Sequence, residues 1–201
     1  MKKLPPRKLQ IIASALLITG VISSPIIASA ASNSANTTIN ASVGSTIGIT
    51  TGTTVGLSLT PTAGGVVSSS SDTVTVNSNN ASGYTLTLAD SDANVNLTSG
   101  GNSISAHSGT FASPSALNAN TWGYAIANTG GFDASYSAES NNAASSSAWA
   151  GVPASGTPVQ LKSTTGAAIN DTTTVWYGAR ATSSQPGGTY SGTVTYTATT
   201  N

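Results

Sequence analysis

Thr73-Val74-Thr75-Val76-Asn77 and Tyr84-Thr85-Leu86-Thr87-Leu88, joined by the polar run Ser78 to Gly83, decide how this 201-residue chain is read. In both runs apolar and hydroxyl side chains alternate. That is the period of a half-buried strand, because successive side chains leave a pleated backbone on opposite faces. Threonine suits the outer face, since its branched Cβ fits the pleat. The pair is predicted to form a hairpin with Val74, Val76, Tyr84, Leu86 and Leu88 turned towards a core.

The same alternation recurs on both sides. Upstream lie Ile47-Gly48-Ile49 and Val55-Gly56-Leu57-Ser58-Leu59, punctuated by Pro61 and Gly64-Gly65. Downstream, Asp90-Ser91-Asp92 reads as a turn, followed by short strands at Val95 to Leu97 and at Ile104 around the turn Ser99 to Asn102. Residues 107–120 read as loop. Strands are expected at Thr121 to Ile126, Val159 to Leu161, Thr173 to Arg180 and Tyr190 to Thr197. The stretch Asn128 to Pro158 is long for a connection in a compact domain, so it either carries function or covers a sheet edge. Beyond residue 30 no apolar stripe follows the helical period. About nine strands divided by turn signals give an all-β chain, an immunoglobulin-like or jelly-roll-like β-sandwich. Cysteine is absent. The domain is therefore no true immunoglobulin domain with its Cys…Trp…Cys spacing, and its core must hold without disulfides.

The first 30 residues read differently. Lys2, Lys3, Arg7 and Lys8 precede an apolar run of 14 residues, Leu9 to Ile22, and then Ala28-Ser29-Ala30. This is the layout of a secretory signal peptide cut after Ala30. The run is short of the roughly 20 residues that a membrane-spanning helix needs. The expected organisation is a signal peptide (1–30), a flexible leader with N-terminal strands (31–60) and a β-sandwich domain (61–201). Export to the extracellular space or the cell surface follows, with no membrane insertion after cleavage.

Removing residues 1–30 leaves Lys162 and Arg180 against Asp72, Asp90, Asp92, Asp133, Glu139 and Asp171, a net charge of 2 − 6 = −4. Serine and threonine make up 59 of the remaining 171 residues, and only 8 are charged. A disordered hydroxyl-rich stalk would have this serine content, but all the tryptophans and tyrosines lie here among many valines, which favours a folded domain. Two cations cannot form the basic face that nucleic acid requires, nor dock on anionic lipid.

Chemistry-bearing patterns are sparse. The one histidine, His107, is expected in an exposed loop. No G-x-S-x-G elbow occurs, and Asp90, Asp92, Asp133 and Glu139 fall in turns. No activated catalytic group stands out, and neither enzyme activity nor a cofactor is expected. Asp90-Ser91-Asp92-Ala93-Asn94 has the spacing that opens an EF-hand calcium loop. Val95 stands where that loop needs glycine, and Gly101 where it needs glutamate. A lone surface metal site at Asp90, Asp92 and Asn94 competes with a plain polar turn. Trp122 and Trp176 lie in strands and are expected in the core. Trp149, in the long loop, either stacks on a sugar ring or folds back to seal the core.

Four blocks carry a resemblance: Asn80 to Leu88, Asn120-Thr121-Trp122-Gly123-Tyr124, Ala150-Gly151-Val152-Pro153, and Gly187-Gly188-Thr189-Tyr190-Ser191-Gly192-Thr193-Val194-Thr195-Tyr196-Thr197. Together they resemble secreted β-sandwich proteins of candidate-phylum bacteria, similar in style to WxL-type wall-binding domains and to fimbrial or spore-coat-U-like subunits. No W-x-L triplet occurs. The resemblance implies an extracellular, surface-associated role and no catalytic residues.

The expected function is that of a secreted bacterial surface protein, structural or adhesive. Its partners would be cell-wall glycan, another surface protein or a second copy. Lysine is one of the usual guards of sheet edges, and only Lys162 remains beyond residue 30. The strand-like stretch Asn36 to Leu59 would pair in its own sheet or, as in fimbriae, add to a neighbour's edge. A glycan-binding or wall-binding module is the alternative.

Overall fold

The computed structural model describes residues 32–201. The expected signal peptide and its cleavage site lie outside the described residues. Among the described residues there are twelve strands and no helix. They belong to one compact unit, Ser42–Asn201.

The strands are β1 (Ile47–Thr50), β2 (Val66–Ser78), β3 (Tyr84–Asp90), β4 (Leu97–Ser99), β5 (Asn102–Ala106), β6 (Ser115–Ala116), β7 (Thr121–Ala125), β8 (Glu139–Asn142), β9 (Ala148–Trp149), β10 (Val159–Ser163), β11 (Ala168–Ala181) and β12 (Val194–Thr200). The number exceeds the expected nine because β6, β8 and β9 are pieces of two to four residues inside stretches that read as loop. Such pieces are too short to show a period.

The main sheet has seven strands in the order β1-β2-β11-β7-β5-β4, with β8 also on β2. A three-stranded sheet runs β10-β3-β12. The expected hairpin between Thr73–Asn77 and Tyr84–Leu88 is therefore corrected. Val74, Val76, Tyr84, Leu86 and Leu88 are all buried as expected, but β2 and β3 lie in different sheets. The loop between them is an arch. Gly83 has φ 86°, donates its N–H to Asn80 O at 3.0 Å, and a Cβ there would stand 2.1 Å from Thr164 O. Only glycine fits both the turn and that approach. Asn80 Nδ2 bonds Gly83 O and Asn201 O, tying the arch to the end of β12. Alternation cannot separate a hairpin from an arch, because both turn the same side chains inward.

Val74, Val76 and Val175 of the main sheet share one core with Leu86, Leu88 and Leu161 of the smaller sheet. Each such fully buried side chain contributes roughly 1.5–3 kcal/mol. Two polar links also join the sheets. Asp171 on β11 accepts from Tyr84 Oη at 2.8 Å and is ion-paired with Lys162 on β10. Tyr177 and Tyr196 share a hydroxyl bond of 2.7 Å.

The outer edge of β2 is covered in two places. β1 pairs with Thr75–Ser78, and β8 pairs with Val67 and Ser69. The long stretch 128–158 thus covers an edge through β8. Between the two, Asp72 takes the N–H of Gly52 at 2.9 Å and the hydroxyl of Thr51. The chain then continues past Ser58, whose carbonyl accepts from Ser68 Oγ, to Thr60, whose N–H meets Asn141 Oδ1.

Candidate functional site

Trp149 is positioned by β9. Ser115 of β6 pairs with Trp149, and Ala150 exchanges two backbone hydrogen bonds with Tyr124. These bonds pull the indole inward until it is 1% exposed. Its ring lies over Gly178 of β11, where a Cβ would come within 2.7 Å of it. Tyr136 packs edge-on at 5.4 Å and donates its hydroxyl to Ala148 O. Burial pushes the Tyr136 hydroxyl up to about 12. A sugar-stacking platform at Trp149 is thereby corrected: the ring has no open face. Trp122 is buried as expected, while Trp176 is only half-buried, stacked on Tyr136 at 6.5 Å.

His107 is also corrected, from an exposed loop residue to a buried one, 5% exposed. It directly follows β5, and its N–H bonds Trp122 O at 2.7 Å. The ring touches Ser115 Oγ through Nε2 at 3.0 Å, and Nδ1 faces the N–H of Asn118 at 3.5 Å. The tautomer of the ring sets which partner of the Ser115 contact donates. Burial holds the imidazole below its ordinary value. The ring lines a shallow cleft with Phe111, Tyr124 and Val159.

The Asp90–Asn94 turn is knitted by its own side chains. Asp90 Oδ1 accepts from Asp92 N at 2.7 Å, Asp92 Oδ2 from Thr193 N at 2.6 Å, and Asn94 Oδ1 from Asn96 N at 3.0 Å. Asp92 and Asn94 are exposed, whereas Asp90 is 1% exposed. Among the described residues no three His, Cys, Asp or Glu side chains gather as a metal cluster.

One further feature has the geometry of an interaction site. Within Thr53–Leu59 exposure alternates from Thr54 on, with Val55, Leu57 and Leu59 half-buried against the core and the residues between them exposed. The side chains thus behave as a strand, yet the segment belongs to no sheet. Among the described residues, its backbone N–H groups meet no backbone acceptor. Earlier in the chain, before β1, Ile39 and Val43 are each 85% exposed, in a stretch that forms no regular element.

The alternation at Val55 to Leu59 was legible in the sequence, but the missing partner was not. The link among Tyr84, Lys162 and Asp171 was missed. Its only sequence signal is a single lysine nine residues from an aspartate, across a turn.

No family model matches the chain, and neither a curated protein nor a solved structure matches it.

Proposed function

We propose that the chain is an exported structural protein of a bacterial surface, an immunoglobulin-like or jelly-roll-like β-sandwich that joins copies of itself by strand pairing. The observation that carries this reading is the Thr53–Leu59 segment. It packs its apolar side chains on the core and leaves its backbone outside every ladder. An extended backbone whose N–H groups meet no backbone acceptor is a template for an added strand. The exposed Ile39 and Val43, on the chain just before β1, supply apolar side chains of the kind such a strand would bury. A hydroxyl-rich, weakly charged surface also suits repeated contact, because little like charge opposes it. The likeness to fimbrial subunits agrees with this mode of assembly, and the signal-peptide layout with its place outside the cell.

Sedimentation of the cleaved protein over a wide concentration range tests the proposal. Association that rises with concentration, and filaments or short oligomers under the electron microscope, are expected. Gly56→Pro removes one N–H from the segment at a position where a Cβ meets nothing within 4 Å. It should weaken association and leave the melting temperature nearly unchanged. A protein that stays monomeric at every concentration rejects strand pairing between copies.

A further inference from the structure

The turn after β3 holds a buried acid whose second oxygen has no partner. Asp90 Oδ1 is taken by the N–H of Asp92, while Oδ2, fully buried, meets no hydrogen-bond donor or acceptor among the described residues. An unpaired buried carboxylate oxygen is costly, and a neutral acid there would need an acceptor for its own proton. Asp92 adds a second negative charge to the same turn.

Among the described residues no side-chain cation is at hand. Beyond residue 30 the chain has only Lys162 and Arg180. Lys162 is held by Asp171, and Arg180 donates to Leu117 O and Gly64 O. We propose that the Asp90–Asn94 turn binds a divalent cation of the calcium class, with Asp90 Oδ2 as inner ligand and Asp92 and Asn94 supplying outer oxygens. An acid-amide oxygen set in an irregular turn favours calcium, which accepts variable oxygen geometry. Magnesium demands a near-ideal octahedron. Few charged ligands set a weak affinity, about 10⁻⁴–10⁻³ M, the range of extracellular modules.

The fold supplies a reporter. Trp122 Nε1 donates to Val95 O at 2.9 Å, immediately after the turn. Terbium added to the cleaved protein should therefore show emission sensitised by tryptophan excitation, and millimolar calcium should displace it. Calcium should raise the melting temperature relative to chelator, and magnesium should do so less. Asp92→Asn, at an exposed position where the amide oxygen still accepts from Thr193, should keep the fold and lose both responses. Asp90→Asn should show no calcium shift. Terbium emission that survives Asp92→Asn, equal effects of magnesium and calcium, or identical melting in calcium and chelator would each overturn the site.

Discussion

Two segments of this domain place alternating side chains on the same core, and they differ in what their backbones do. Trp176 to Arg180 of β11 pairs with β2 on one side and β7 on the other. Thr53–Leu59 has half-buried Val55, Leu57 and Leu59 but no ladder on either side. The first segment is closed by backbone bonds and by the indole of Trp149 lying on Gly178. The second is closed by side-chain burial and one side-chain bond, from Ser68 Oγ to Ser58 O. Burial and backbone pairing are separate contributions, and a segment can have one without the other.

Breaking the closed side should have the largest effect. Trp149→Ala removes the ring that covers Gly178 and Tyr136, with an expected cost of about 3–5 kcal/mol. That lowers the melting temperature by roughly 6–20 °C for a domain of this size. Differential scanning calorimetry measures it, and a loss under about 1 kcal/mol would mean that the indole is not part of the core.

Breaking the link between the sheets should cost less. Asp171→Ala leaves Lys162 and the Tyr84 hydroxyl without their acceptor. Lys162 and the Asp171 hydrogen bonds hold the carboxyl below its ordinary value despite its partial burial. The link is about a quarter to a third exposed, so solvent screening limits the loss to about 1–2 kcal/mol. Urea unfolding curves of the two proteins give the value.

The smallest effect belongs to pH. His107 sits below its ordinary value in the folded state because burial disfavours its charge. The unfolded chain therefore takes up a proton more readily, and stability rises with pH. This contribution is complete above about pH 6.5 and fades as pH falls from there towards the folded value. His107→Gln should flatten the melting temperature between pH 7 and pH 5. An unchanged slope would assign the acid sensitivity to other groups.

The sequence was legible where one period decided one fact. Val74, Val76, Tyr84, Leu86 and Leu88 face inward as their alternation requires. Their pairing was not legible, because the arch at Gly83 and a hairpin share one pattern, and the choice rests on the contact between Gly83 and Thr164. Trp149 was open in the sequence because only the pairing of β9 with β6 turns its ring inward. His107 was misread for the same reason: small neighbours such as Gly109 and Gly151 look like loop, yet each lies close against backbone or the imidazole. At the Asp90–Asn94 turn the spacing was visible, but the burial of Asp90 was not.

Amide hydrogen exchange of Thr53–Leu59, followed as the concentration of the cleaved protein rises, tests the account most directly. The account predicts rapid exchange in the dilute monomer, with β11 protected, and growing protection of Thr53–Leu59 as copies associate. Protection of the segment already in the dilute monomer, or rapid exchange that persists at every concentration, would contradict it.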